Sequence, residues 1–163
     1  MTVVFSPPER AQALRDVLAG AAAFVRGSVS DIDVLAAEVT DPTRTFPLGW
    51  AARRVVALHA DALGDGGHLV VSAAPATLEA ALPVPVATAA LTLVRAAVAP
   101  GVPVDPVLAD VDMDALVEAG APQRFACAAM AAGGWAFSIA SEVFDSDPIE
   151  AIQAMVLRLN PAS

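Results

Sequence analysis

Two histidines, His59 and His68, are the side chains in this sequence most able to bind a metal or move a proton near neutral pH. His59 lies one turn after Val55 on the apolar side of a predicted helix, so its imidazole is expected to face the interior and to need a hydrogen-bond partner. His68 follows a glycine-rich turn and is expected to be exposed. The pair supplies at most half of a tetrahedral metal site and lacks helical i, i+4 spacing, although Asp61 or Asp65 could complete a site. We therefore interpret His59 as a histidine at the edge of the core with a satisfied partner.

The remaining nucleophilic and acidic candidates fit structural roles better than catalytic ones. Cys127 lies in an Ala-rich segment with no cation nearby except Arg124, which is typical of a buried thiol. The acids of residues 110–114 superficially match a calcium loop, but its sixth and twelfth positions hold Ala115 and Ala121. These acids are predicted to cap and charge a helix N-terminus. The sequence thus predicts no catalytic residue, no metal site and no cofactor.

A pair of glycines, Gly133 and Gly134, precedes Trp135 inside a predicted helix. Each destabilises a helix interior by about 1 kcal/mol relative to alanine, so the close approach of another helix or of a ligand is expected to offset the cost. We favour close helix packing, with a pocket floor beside Trp135 as the functional alternative. If the two tryptophan-bearing helices face each other, the side chains expected to line a ligand site are Trp50, His59, Met130 and Trp135.

Helices are predicted to position these side chains, because apolar residues recur at helical spacing between capping residues. Ser6 is expected to cap the first helix, Ser30 the second and the Asp147 turn the last. The predicted helices cover residues 8–27, 31–39, 48–63, 75–82, 85–99, 110 or 112 to 120, 122–144 and 149–159.

The third predicted helix is preceded by a predicted loop over residues 41–47, because each of its two prolines disfavours the helical conformation in the residue before it. Arg53, Arg54 and Asp61 lie off the apolar stripe of this helix. The stripe consists of Ala52, Val55, Val56, His59, Ala62 and Leu63.

These elements predict a single all-α domain over residues 1–163, a helical bundle of four or five main helices with short connecting helices. The alternative is an α+β fold with short strands at residues 2–5 and 69–71, because the apolar run 69–71 has no period that separates strand from helix. Residues 102–110, with two prolines, are predicted to form an extended crossing loop.

Composition and charge exclude two classes of partner. A net charge of −9 argues against nucleic acid and against anionic membrane surfaces. The uncharged stretches 80–94 and 125–141 are too short to span a bilayer, and the N-terminus lacks the features of a signal peptide. With a single cysteine, these features indicate a soluble cytoplasmic protein. Because 56% of residues are hydrophobic and only 17% are charged, we expect a homodimer that buries apolar faces.

One segment resembles a known family. Pro42-Thr43 is followed by the run from Gly49-Trp50 through Arg53 to His59, which is similar to the start of the second long helix in the DinB-like superfamily. That superfamily includes mycothiol-dependent maleylpyruvate isomerases, and its members carry a His-x-Trp-Asp motif on a later helix. The comparable place here reads Gly-Gly-Trp-Ala at residues 133–136, and the similar spacing covers most of the chain.

The resemblance implies a helical bundle but not the metal centre of the family. His59 comes one residue late, and Gly133 and Ala136 stand where the family has a metal-binding His and an Asp. A three-histidine site therefore cannot be carried over. The resemblance implies a member that has lost its metal and its thiol-transfer chemistry.

These observations favour a non-catalytic helical domain that binds an apolar small molecule or a protein partner. The alternative is a divergent DinB-like metal-dependent hydrolase or thiol transferase that uses His59 with His68 or acidic ligands. A third hypothesis is a structural subunit whose apolar surface serves oligomerisation.

Overall fold

In the computed structural model, residues 3–64, 67–99, 107–108 and 110–159 are described, and this part of the chain is almost entirely helical. The all-α prediction is therefore confirmed. A two-stranded antiparallel ladder joins β1 (Val3–Val4) to β2 (Val107–Leu108), with Val3 opposite Leu108. The helices are α1 (Pro7–Val25), α2 (Val29–Ala37), α3 (Pro42–Leu63), α4 (His68–Ala81), α5 (Val84–Val98), α6 (Asp110–Ala119), α7 (Pro122–Phe144) and α8 (Pro148–Arg158).

The predicted starts of the first and last helices are confirmed. Ser6 caps α1 in a reciprocal capping box, in which Glu9 N–H donates to Ser6 Oγ at 3.3 Å and Ser6 N–H donates to Glu9 Oε1 at 3.0 Å. Asp147 caps α8 by accepting the Ile149 N–H at 2.9 Å. The predicted cap at Ser30 is wrong, because α2 already begins at Val29 and Ser30 lies inside it.

The predicted loop over residues 41–47 is also wrong. Asp41 caps α3 by accepting the Thr43 N–H at 3.0 Å, and Pro42 occupies the first helical position, where a missing N–H costs nothing. Pro47 lies inside the helix and is buried, as is Thr45, whose hydroxyl donates to the carbonyls of Val39 and Asp41. Burial of this first segment and its capping bonds outweigh the local preference of proline.

The apolar run 69–71 is helical, since it forms the first turn of α4, with Val70 fully buried. The α+β alternative is wrong at this place. Of its other proposed strand, Val3–Val4 does pair, but its partner is Val107–Leu108. The predicted crossing loop 102–110 lies largely outside the described residues, apart from this second strand and Asp110, which begins α6.

Helix α7 lies at the centre of the bundle and contacts each of the seven other described helices. By length and composition it could cross a membrane, but 72% of its most apolar window is buried inside the fold. The predicted close packing at its glycines is confirmed: a Cβ at Gly133 would lie 2.8 Å from Val17 Cγ1, and one at Gly134 would lie 2.6 Å from Phe24 Cβ. The missing side chains therefore let α1 approach the α7 backbone.

Candidate functional site

The two tryptophan-bearing helices, α3 and α7, lie side by side and run in the same direction. A Cβ at Gly49 would lie 3.0 Å from Phe125 Cζ, and further along the pair the ring of His59 meets that of Phe137 edge-on at 4.3 Å between centroids. Trp50 therefore lies near the level of Phe125, ten residues before Trp135 on α7. At 1.5 Å per residue, the backbone positions of Trp50 and Trp135 differ by about 15 Å along this pair of helices.

The four side chains expected to line a ligand site are each engaged in packing. Trp135 Nε1–H donates to the Val70 carbonyl at 2.9 Å, and Met130 fills the notch left by Gly20, where a Cβ would lie 2.1 Å from its Cγ. Trp50 is 3% exposed, and its indole N–H has no hydrogen-bond partner in the described part of the chain.

His59 is a partly buried histidine with a backbone partner. Its Nδ1–H donates to the Val55 carbonyl at 2.8 Å, one turn earlier in α3. Burial lowers the pKa of His59 below its ordinary value, although the bond to Val55 opposes this shift. The imidazole is therefore neutral at physiological pH.

The histidines are not gathered into a ligand cluster within the described ranges. His68 is exposed at the start of α4, as predicted, and no group of three or more His, Cys, Asp or Glu residues there could hold a metal ion. Asp65 lies outside the described residues. At Gly133, where the DinB-like pattern has a metal-binding histidine, the neighbouring Val17 leaves no room for a side chain without a shift of α1.

A buried ion pair joins α3 to α6, and the sequence did not reveal it. Arg53 Nε–H donates to Asp112 Oδ1 at 2.8 Å and Nη2–H donates to Oδ2 at 2.6 Å, a bidentate arrangement with both side chains at 0% exposure. The prediction that Arg53 lies off the buried side of its helix is wrong. Gly49 makes room for the pair, since a Cβ there would lie 2.7 Å from Asp112 Oδ1.

A pocket of about 640 Å³ opens between α2, the α4–α5 turn and the start of α7. Its apolar wall comes from three separate segments. The polar lining consists of Asp33 on α2 and three residues in the first turns of α7: Gln123, Arg124 and Cys127. The apolar lining includes Val29, Ile32, Leu82 and Val86.

The lining of this pocket includes a thiol that is kept protonated. Cys127 is buried, and its Sγ–H donates to Asp33 Oδ1 at 3.4 Å. Burial, together with the Asp33 carboxylate, raises the pKa of Cys127 to about 12. Gln123 Nε2–H also reaches α2, donating to the Asp33 carbonyl at 3.4 Å. Cys127 therefore acts as a hydrogen-bond donor in a structural contact, in agreement with its interpretation as a buried thiol.

The rim of the pocket carries donor groups that the described residues leave open. Arg124 Nη1 lies 3.5 Å from the position that a Cβ at Gly120 would occupy, and its guanidinium has no hydrogen-bond or ion-pair partner among the described residues. Ala121 is the N-cap of α7, and in this part of the chain no side chain caps the helix. Cationic and backbone donors are therefore available in the lining of this pocket, beside its apolar wall.

Comparison with protein-family models, with curated proteins and with solved structures finds no match to this chain. The resemblance to the DinB-like superfamily stays a prediction that rests on the residues quoted for it.

Sequence reasoning missed the pocket because its polar residues come from α2 and α7, about 90 residues apart in the chain. The sequence places Arg124 beside Cys127, but only as an isolated cation on an Ala-rich helix.

Proposed function

We propose that this chain is a non-catalytic binding domain that takes an apolar small molecule into the pocket between α2, the α4–α5 turn and the start of α7. The observation that carries the proposal is the pocket itself. Its volume of about 640 Å³ lies within the range of roughly 300–1,000 Å³ that is usual for small-molecule sites. Its lining also has the usual composition, an apolar wall with a few polar groups.

The chemistry of the pocket favours binding over covalent catalysis. A cysteine nucleophile needs a lowered pKa, whereas the pKa of Cys127 is raised to about 12. The acid in contact with it, Asp33, accepts the thiol hydrogen bond and stabilises the neutral form. We therefore assign Cys127 and Asp33 to the architecture of the pocket.

The ligand is assigned to this pocket rather than to the side chains at Trp50, His59, Met130 and Trp135. Trp135 and Met130 already fill space between helices, and His59 already has a carbonyl and an aromatic ring as partners. These residues support the bundle on which the pocket is built.

The experiment uses the neutral fluorescent probe N-phenyl-1-naphthylamine, whose emission rises in apolar sites. Gln123→Trp places a large side chain in the pocket at an exposed position of α7, and Gln153→Trp places the same side chain at an exposed position of α8 as the matched control. We expect the wild-type chain and Gln153→Trp to bind the probe equally, and Gln123→Trp to bind it at least tenfold more weakly. Equal binding by both variants, or no binding by the wild-type chain, would refute the proposal.

The homodimer and the cytoplasmic location expected from composition stay predictions. Several large apolar side chains are more than half exposed in the described part of the chain, among them Val84, Val117 and Leu157. For a chain of 16.5 kDa, light scattering coupled to size-exclusion chromatography is expected to give twice the monomer mass, and the monomer mass would contradict the expectation.

A further inference from the structure

We infer that the ligand of this pocket is a monocarboxylic acid with an apolar chain, whose carboxylate binds at Arg124 while its chain lies against the apolar wall. The inference rests on the proposed function and adds the chemical class of the ligand. Its basis is the guanidinium of Arg124, which lines the pocket without a hydrogen-bond or ion-pair partner among the described residues.

The cation of the pocket lining, Arg124, has open hydrogen-bond donors. The guanidinium of Arg124 presents five N–H donors and has no hydrogen-bond or ion-pair partner among the described residues. Asp33, the acidic group of the lining, already accepts the thiol hydrogen bond of Cys127. A ligand that brings an anionic acceptor can therefore pair with the guanidinium of Arg124.

The shape of the acceptor follows from the guanidinium. Its planar fork matches a carboxylate through two parallel hydrogen bonds, and such charge-assisted bonds are stronger than neutral ones. The position of Arg124 over Gly120, which has no side chain, leaves this fork accessible at the rim. The 23-residue helix α7 adds to the same end of the pocket, because the positive end of its dipole favours an anion there.

The rest of the ligand is apolar because the walls are apolar. Ile32, Leu82 and Val86 line the pocket with hydrocarbon side chains, which offer no polar partner for a second head group. Asp33 is the charged group on the α2 side, and its carboxylate repels an anion. The carboxylate of the ligand is therefore expected on the guanidinium of Arg124, and a second acidic group on the ligand would weaken binding.

Displacement of N-phenyl-1-naphthylamine by octanoate and by octanamide tests the inference, because the two differ only in the charge and donors of the head group. We expect octanoate to displace the probe at a concentration at least tenfold lower. In Arg124→Gln, octanoate is expected to weaken about tenfold and octanamide to stay unchanged. Arg95→Gln, which removes an exposed arginine from α5 outside the pocket, is the matched control and is expected to change neither.

Asp33→Asn tests whether the ligand carboxylate lies within reach of the negative charge of Asp33. Asparagine keeps an acceptor for the Cys127 thiol but removes the negative charge, so octanoate is expected to bind two- to threefold more tightly. Weaker octanoate binding in Asp33→Asn, equal displacement by octanoate and octanamide, or unchanged octanoate binding in Arg124→Gln would each overturn the inference. If the wild-type chain still binds the probe in those cases, only the ligand class is wrong and the proposed binding function stands. If the wild-type chain does not bind the probe at all, the proposed function itself is refuted.

Discussion

Removing the carboxylate of Asp112 tests whether the Arg53–Asp112 pair is as deeply buried as its geometry indicates. Both side chains are at 0% exposure, and two charge-assisted hydrogen bonds of 2.8 and 2.6 Å join them. Asp112→Ala takes both bonds from a guanidinium that stays in the interior. Breaking a buried pair in this way costs about 3–5 kcal/mol of unfolding free energy.

Urea denaturation followed by circular dichroism measures this cost. With an m-value of about 2 kcal/mol per M, a loss of 3–5 kcal/mol lowers the midpoint by roughly 1.5–2.5 M. Arg44→Ala is the matched control, because Arg44 also pairs with an aspartate, at 2.8 Å, but is 41% exposed. An ion pair of that exposure contributes about 0–1 kcal/mol, so the control midpoint is expected to shift by under about 0.5 M.

A double variant distinguishes loss of the pair from loss of packing. Replacing both partners by apolar residues, as in Arg53→Met with Asp112→Leu, removes the buried charge altogether and is expected to recover most of the loss. If Asp112→Ala is so unstable that it does not fold, the double variant still gives a measurable midpoint. A loss below about 1 kcal/mol in Asp112→Ala, equal to that in Arg44→Ala, would refute the burial of the pair.

Three further predictions concern the close contact at Gly133 and the shifted pKa values of His59 and Cys127. Gly133→Ala is expected to cost about 1–3 kcal/mol in urea unfolding, because its methyl group would lie 2.8 Å from Val17 Cγ1; a neutral or stabilising effect would contradict the close approach. The pKa of His59 is lowered from 6.5, so the unfolded chain binds the proton more readily and the unfolding free energy should fall as the pH drops below 6.5. This decline should be smaller in His59→Gln. An unchanged decline in that variant would count against burial of the imidazole. The pKa of Cys127 is raised from 9.0 to about 12, so the unfolding free energy should fall as the pH rises above 9. At pH 8, iodoacetamide should alkylate the thiol of the native chain far more slowly than the thiol of the chain unfolded in urea. Equal rates would show an accessible thiolate in the native chain.

The sequence alone was sufficient for the elements whose signals are local. The N-cap at Ser6 directly precedes the prolines of the first turn, and the proline and aspartate that begin the last helix are adjacent. The bounds of the central helix, residues 122–144, also follow from a proline at its start and an uninterrupted apolar period. The glycine pair within it predicted a close helix contact because helix propensity already makes two such glycines costly.

Local signals were misleading where burial opposed them. The two prolines at positions 42 and 47 predict a loop, yet both lie in α3, because Asp41 caps the first turn and Pro47 is buried in the core. The run 69–71 was ambiguous for a related reason, since a buried strand and a buried helical turn share the same apolar composition. Packing of Val70 into the core decided for the helix.

What the sequence by itself determined, then, is the all-α class and most helix bounds, because hydrophobic period and capping act within a few residues. Only the tertiary structure decided that Arg53 meets Asp112, 59 positions away, and that Asp33 shares a pocket with Arg124. An arginine on a helix has the same local pattern whether it faces solvent or a distant carboxylate. Which of these it faces depends on how the helices pack, and that is set by contacts across the whole chain.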